Sequence, residues 1–378
     1  MNILVVCHYG LYEDLSASFV HGQTRAYAQL GHRVRVIVPL GMGKKGPDGN
    51  RFGPCVVCKQ ADGVELYYVR YATLSRYGKR WFNPAAARTA VRSALAKVLR
   101  DFAPDVIQAH TLGFDTQLGV WLKKRLRCPL VVTTHGSDAS VPYEQGDLSF
   151  LRQNCDGADA VVAVSTALAE KVRSCGTKTP IHRILNGFHL EHVPAACEKT
   201  PLTLMQVGHL LKQKRYHVTL KAFASLCAQH PGMQLEIVGH GPERQQLQEQ
   251  CHTLGVAEAV RFAGQIPNEQ VLDRLSKTQF FVMPSVREGF GIVYLEAMAC
   301  GCITIGTQNE GIADLIRHGE NGFLVPPDDP EAIVKVIQFC LKNPEEAARI
   351  AEAGRRDALR LTWQENAKHY ETLFKELI

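Results

Sequence analysis

Residues 284–301 read Pro-Ser-Val-Arg-Glu-Gly-Phe-Gly-Ile-Val-Tyr-Leu-Glu-Ala-Met-Ala-Cys-Gly, and this stretch decides the fold. It follows Phe280-Phe281-Val282-Met283, an apolar run that reads as a buried strand. It closes in small and apolar residues, with Gly301 placed just past a helix C-terminus. A strand, a turn and a helix are therefore expected in succession. Gly289 and Gly291 let the backbone pass close to a ligand with no Cβ in the way. The helix expected from Gly291 presents unpaired N–H groups, a natural phosphate site. Two carboxylates, Glu288 and Glu296, stand with seven residues between them. From Gly291 to Glu296 a helix rises roughly 7–8 Å, at about 1.5 Å per residue. That is close to the span of a pyrophosphate, so one carboxylate would face a sugar and the other a ribose.

Outward from this stretch, apolar runs alternate with helical periods along the chain. Strands are expected at 2–7, 33–38, 64–70, 105–109, 130–134, 160–164 and 182–185, with helices at 17–30, 84–102, 116–127 and 166–174. Residues 40–62, rich in Gly, Pro and Lys, read as a long loop. Residues 188–201 lack an apolar period and read as a linker. Alternation then restarts, with strands at 202–207, 233–238, 260–263, 279–283 and 302–305 and helices at 217–230, 242–253, 267–276 and 291–300. Three helical segments follow at 330–342, 344–360 and 363–378. Such alternation predicts α/β architecture: two Rossmann-like, doubly wound parallel sheets with right-handed crossovers, facing across a cleft.

A chain of 378 residues suits two domains, and its 46% apolar and 21% charged content is that of a soluble globular protein. No run of eighteen apolar residues argues for a transmembrane helix. The opening Met1-Asn2-Ile3-Leu4-Val5-Val6 enters a strand directly and does not read as a signal peptide. Twelve scattered cysteines, several in apolar contexts, fit a reducing cytoplasm. Cys55-Val56-Val57-Cys58 lacks a second ligand pair at matching spacing, so coincidence is favoured over a metal or redox role.

The net charge of +6 is unevenly placed. Arg70, Arg76, Lys79, Arg80, Arg88, Arg92, Lys97 and Arg100 occur with no acidic residue among them, and Tyr77, Trp81 and Phe82 are interleaved. From Pro84 onward Val91, Ala94, Leu95 and Val98 share one helical face and the basic residues cover the other. This predicts either a solvated face or contact with an anionic membrane surface. Nothing else in the sequence supports nucleic acid.

Ser165, Asn186-Gly187, Val207-Gly208, Val238-Gly239 and Pro284-Ser285 all follow expected strand ends, where open α/β sheets bind ligands. With the Glu-Gly-Phe-Gly turn and the Glu-Ala-Met-Ala-Cys-Gly ending, the chain resembles the retaining nucleotide-sugar glycosyltransferases of family 4, which have the GT-B fold. The likeness is strongest from about 200 to 330 and is similar to members that build bacterial surface polysaccharides, including teichuronic-acid-type enzymes. It implies an N-terminal acceptor-side domain over 1–190, a donor domain over 200–360 and a C-terminal helix at 363–378 that packs back on the first domain. It implies transfer of a hexosyl unit from a nucleoside diphosphate sugar, UDP favoured, to an acceptor hydroxyl of a glycan or lipid-linked glycan.

The same resemblance supplies residue roles. Gly208-His209-Leu210-Leu211-Lys212-Gln213-Lys214 matches the loop that holds the donor diphosphate through an arginine and a lysine. Lys214 matches the lysine. His209 replaces the arginine, and a neutral imidazole with a reference pKa of about 6.5 is not a fixed cation; Lys212 and Arg215 stand nearby as substitutes. Glu288 would bind sugar hydroxyls, Gly289, Phe290, Gly291 and Ile292 would frame the phosphate site, and Glu296 would take the ribose. Thr134-His135-Gly136-Ser137-Asp138 matches a His-Gly-x-Asp turn whose histidine reaches the donor sugar, so the implied catalytic set is Glu288, His135 and Lys214. Asp138 would position an acceptor hydroxyl or cap a turn. Gly10 and Asn186 are further acceptor-side candidates, Gly10 being the only glycine where relatives often have two. Gln308-Asn309-Glu310-Gly311 sits where many relatives have a glycine pair. With no Asp-x-Asp pattern, no catalytic metal and no cofactor is expected. The expected location is cytoplasmic, peripheral on the inner membrane face at most. Two other readings stay open: an epimerase or hydrolase of the same nucleotide sugars, and a non-catalytic sugar-nucleotide-binding subunit.

Overall fold

A computed structural model describes residues 1–8, 18–47, 49–76, 79–81, 83–195 and 197–378. The chain forms two compact units, Met1–Gly187 with Trp363–Ile378, and Phe188–Thr362.

In the first unit the elements run β1 (Asn2–Val6), α1 (Ser18–Gln29), β2 (Arg33–Gly41), β3 (Val56–Ala61), β4 (Val64–Tyr71), β5 (Leu74–Arg76), β6 (Lys79–Trp81), α2 (Pro84–Val98), β7 (Val106–His110), α3 (Phe114–Leu126), β8 (Leu130–Thr134), α4 (Ser137–Glu144), α5 (Leu148–Asp156), β9 (Ala160–Ala163), α6 (Thr166–Arg173) and β10 (Ile181–Arg183). Eight strands make one sheet in the order β10-β9-β8-β7-β1-β2-β4-β3. All neighbours pair parallel except β3 against β4. The central strands are buried on both faces and are accordingly runs of Val, Ile and Leu.

Three expectations need correction here. The loop expected over 40–62 contains β3, an antiparallel edge strand. Its two-residue connection, Asp62-Gly63, has both residues at positive φ (51° and 78°), the hairpin turn that an Asp-Gly pair favours. Residues 137–156, where no helix is expected from the sequence, form α4 and α5; the Asp147 side chain caps α5 by accepting from Phe150 N. The helix expected over 84–102 stops at Val98. Its start is well specified, by Asn83 accepting from Ala86 N at 3.1 Å and by Pro84 at the first position. Val91, Ala94, Leu95 and Val98 are buried on α2 as expected, and Arg88, Arg92, Lys97 and Arg100 lie exposed on the helix or just past it.

The C-terminal helix, Trp363–Leu377, belongs to this first unit. Asn366 accepts from Gln23 Nε2 at 2.7 Å, and Gln23 Oε1 accepts from Gln108 on β7 at 2.8 Å. Tyr370 and Thr133 share a hydroxyl–hydroxyl bond of 2.9 Å. A Cβ at Gly22 would lie 2.1 Å from the Trp363 indole nitrogen, so only glycine lets α1 and this helix approach. Burying this much polarity is tolerable because the amides and hydroxyls satisfy one another.

The second unit runs β11 (Thr200–Val207), α7 (Tyr216–Cys227), β12 (Gln234–Val238), α8 (Arg244–Thr253), β13 (Val260–Gly264), α9 (Asn268–Lys277), β14 (Thr278–Val282), α10 (Ile292–Ala299), β15 (Ile303–Thr307), β16 (Phe323–Val325), α11 (Pro330–Lys342) and α12 (Pro344–Ala358). Six parallel strands order as β13-β12-β11-β14-β15-β16. The order reverses beside β11, so the carboxyl ends of β11 and β14 form the switch point at which such sheets bind ligands. The short β16 is absent from the sequence reading; three residues carry too little period to stand out. Phe188 and Thr362 bridge to one another and close the unit. No helix among the described residues is long and apolar enough to cross a membrane.

Candidate functional site

The second unit gathers glycines and charge at the ends of β11, β12 and β14. After β11, Gly208 turns at φ 148° and donates from its N–H to Val238 O at 2.9 Å. Gly239 turns at φ 137° after β12, and a Cβ there would lie 1.9 Å from Gly208 O. Gly239 demands glycine because the two strand ends touch, and Gly208 because of its positive φ. The loop then runs through His209, whose ring meets His240 edge-on at 4.8 Å, into a short turn over Lys212–Lys214. The buried Gln206 amide donates to Lys214 O at 2.7 Å and Tyr216 OH to Gly208 O at 2.9 Å, fixing the loop from beneath.

The loop after β14 is tied to this one. Val286 N donates to Gln213 O at 2.8 Å. The Lys214 ammonium donates to Glu288 Oε2, and Ser285 Oγ donates to the same oxygen at 3.2 Å. Lys214 and Glu288 side chains are only 14% and 18% exposed, so the pair sits where its charges are weakly screened. Gly291 precedes α10 at φ 79°, and a Cβ there would clash with Tyr294 at 2.7 Å. One face of α10 is anchored by Tyr294, whose buried hydroxyl donates to Met283 O. Glu296, half-buried on α10, accepts from Asn268 Nδ2 at 2.8 Å. Burial raises its carboxyl above the ordinary value, and the Asn268 amide works the other way. Among the proposed substitutes for the missing arginine, Arg215 pairs with Asp328 at 3.1 Å, while Lys212 is exposed.

The first unit presents a different chemistry at the carboxyl ends of β7 and β8. The rings of His110 and His135 join Nδ1 to Nε2 at 2.9 Å, and Phe19 lies 4.0 Å from the His135 centroid. Burial pushes His110 down to about 3. Burial, then the His110 neighbour, holds His135 well below the ordinary imidazole value. Both are therefore neutral hydrogen-bonding groups near neutral pH. Asp138 Oδ1 accepts from His135 N at 3.1 Å and Gly136 N at 2.9 Å, and Oδ2 accepts from Leu112 N at 2.8 Å. Of the two uses open for Asp138, this is the capping one. Asn186 is buried beyond β10. Gly10, with Tyr77 and Phe82 of the basic segment, lies outside the described residues.

Two groups had no signal in the sequence reading. Asp115, fully buried at the start of α3, accepts from His8 Nδ1 at 2.7 Å and from Thr111 Oγ1 at 3.2 Å. Burial raises its carboxyl, with His8 the main opposing influence. His110 is buried at the end of an apolar strand, with no motif around it. The Cys55 and Cys58 thiols form no disulfide and are exposed, Cys58 on β3 and Cys55 just before it.

The family described as Glycosyltransferase Family 4 matches residues 16–192, and that described as Glycosyl transferases group 1 matches residues 191–357. The chain carries a family 4-type glycosyltransferase domain followed by a group 1 glycosyltransferase domain. The fold of this glycosyltransferase is GT-B: the structure of Anabaena Alr3699/HepE in complex with UDP-glucose superposes with a TM-score of 0.75 at 19% identity, covering 100% of each chain. The N-acetyl-alpha-D-glucosaminyl L-malate synthase of Bacillus anthracis is 26% identical over 327 residues, 82% of this chain and 84% of that protein. The D-inositol 3-phosphate glycosyltransferase of Corynebacterium urealyticum is 32% identical over 178 residues, 45% of this chain and 42% of that protein.

Proposed function

We propose that this glycosyltransferase moves a hexosyl unit from a UDP-sugar to an acceptor hydroxyl with retention of anomeric configuration, in the synthesis of a surface glycan or glycolipid. The observation that carries the reading is the ion pair of Lys214 with Glu288 in front of the Gly291 turn and α10. A cation and a helix N-terminus on one side stabilise a leaving diphosphate, and a carboxylate on the other steadies positive charge at the anomeric carbon. Glu296 then serves the ribose hydroxyls. His135 serves sugar hydroxyls as a neutral partner. This scheme assigns charge neutralisation to Lys214 and the helix terminus and needs no metal. Support for UDP comes from Alr3699/HepE, solved with UDP-glucose.

Thermal melting with a panel of UDP-, GDP-, ADP- and dTDP-sugars tests the donor. A donor at a hundred times its Kd stabilises the fold by about 2.7 kcal/mol. A rise in Tm with UDP-sugars is expected, and no rise with any member of the panel would overturn the reading. The anomeric configuration of product, read by NMR coupling constants, tests retention.

The exposed cations Arg88, Arg92, Lys97 and Arg100 suit an anionic membrane surface, where a lipid-linked acceptor would be presented. Each contributes on the order of 1 kcal/mol and is screened by salt. Replacing Arg88, Arg92 and Lys97 by Ala should release the protein from phosphatidylserine vesicles. Binding that neither the triple variant nor salt weakens would refute it.

A further inference from the structure

Glu310 is a carboxylate to which the donor-site reading assigns no role. It lies at the end of the turn after β15. One oxygen accepts from Arg287 N at 3.0 Å and the other from Glu288 N at 3.0 Å. Arg287 is left-handed, at φ 60°, a conformation that turns successive N–H groups toward one side and makes an anion-binding concavity. Glu310 fills that concavity with a carboxylate from the same chain. The next residue grips the opposite end of the same peptide segment: Gly311 N donates to Glu288 O at 3.3 Å. A Cβ on Gly311 would lie 1.9 Å from Gly289 O, so the two turns are in contact along their backbones. Glu288 is thus held at its N–H by Glu310 and at its C=O by Gly311. Its side chain leaves from this clamped segment toward Lys214 and Ser285.

We propose that Glu310 is a positioning residue for Glu288: its carboxylate fixes the left-handed turn at Arg287 and so sets where the Glu288 carboxylate meets the donor sugar. The proposal rests on the donor-site reading above. A left-handed turn at a bulky residue persists only when its surroundings over-determine it. Without the carboxylate, both N–H groups turn to water and Arg287 relaxes toward the ordinary region. The consequence falls on the reacting end of the donor. Contacts from Lys214 and Glu296 come from other elements and stay in place.

The test follows UDP release from UDP-glucose, the probe, by steady-state kinetics, with water taking the glucosyl group in place of an acceptor hydroxyl. Glu310→Ala should lower kcat at least tenfold with KM changed less than threefold. Sodium formate should restore kcat saturably, since it supplies the missing carboxylate to the two N–H groups, whereas sodium chloride at equal ionic strength should not. Glu310→Gln, which retains one acceptor oxygen and is the safer variant to fold, should fall between wild type and Glu310→Ala. Wild-type kcat in either variant, or a loss that formate does not restore, overturns the inference. Glu288→Gln separates it from the reading beneath: if that variant keeps wild-type turnover, the donor-site assignment itself is wrong. If Glu288→Gln is inactive while Glu310→Ala is fully active, only the positioning role fails.

Discussion

The groups gathered at the strand ends of the two units differ in their electrostatic surroundings. In the second unit a lysine is paired with a glutamate, and Ser285 donates to the same carboxylate. In the first unit the imidazoles of His110 and His135 are buried against each other and Phe19, with no carboxylate bonded to either ring among the described residues, so burial keeps them neutral. Under the proposed function, the difference teaches how one parallel-sheet plan would serve two tasks. Neutralising a diphosphate calls for fixed charge, and fixed charge survives partial burial only when paired. Holding sugar hydroxyls calls for neutral groups of defined direction, which a buried imidazole supplies once its neighbour fixes the tautomer.

The largest expected effect breaks the charged half. Glu288→Gln should lower kcat by about a hundredfold or more, on the order of 3 kcal/mol, while the fold stays intact. Steady-state kinetics with the donor identified by thermal shift, beside a melting curve, reads both. Loss of folding would make Glu288 a structural partner of Lys214 instead.

The neutral half is sharpened by pH. The folded His110 lies far below its ordinary value of 6.5, so the unfolded state binds more protons between about 3 and 6.5. Stability from this group is present above about 6.5 and is lost as pH falls. Between pH 7 and pH 5 the loss is about 2 kcal/mol for one such group. The raised carboxyls of Asp115, Asp138 and Glu296 act with the opposite sign, and they are common to both proteins compared. His110→Asn should therefore flatten the fall of Tm between pH 7 and pH 5. Equal slopes for variant and wild type would mean that His110 is not buried neutral.

Glu296→Ala should raise donor KM about tenfold, near 1.4 kcal/mol, with kcat little changed, since ribose contacts persist from ground to transition state. An effect confined to kcat would place Glu296 near the reacting centre instead of the ribose. Smallest is His209→Arg, which should leave donor KM unchanged or lower it a few-fold, within about 1 kcal/mol for an exposed charge. A higher KM would show that the His209–His240 ring contact, at 4.8 Å, matters more than the added cation.

Much of the second unit was legible because its signals are local. The Glu-Gly-Phe-Gly turn, the helix after it and the strand before it lie within one short stretch, and the structure has β14, the turn and α10 in that order. The Asp62-Gly63 hairpin was also local and readable, but the Gly-, Pro- and Lys-rich run before it masked the strand it serves. The helices over 137–156 hid for another reason. Pro142 sits inside α4, and α5 relies on the Asp147 side chain as a cap, so neither presents a long apolar period.

By itself the sequence determined the order of most strands and helices, the restart after the linker at 188–201, and which residues follow the strand ends. These follow from period and from turn residues, which act over a few positions. Only the tertiary structure decided who partners whom. Lys214 meets Glu288 across 74 positions, His8 meets Asp115 across 107, and Thr133 meets Tyr370 across 237. It also decided that the Asp138 carboxylate is taken by its own turn and that Glu310 takes the N–H groups before and at Glu288. Such pairings depend on directions in space at strand ends, set by the parallel register of distant strands, and a linear pattern of residue types carries no record of that register.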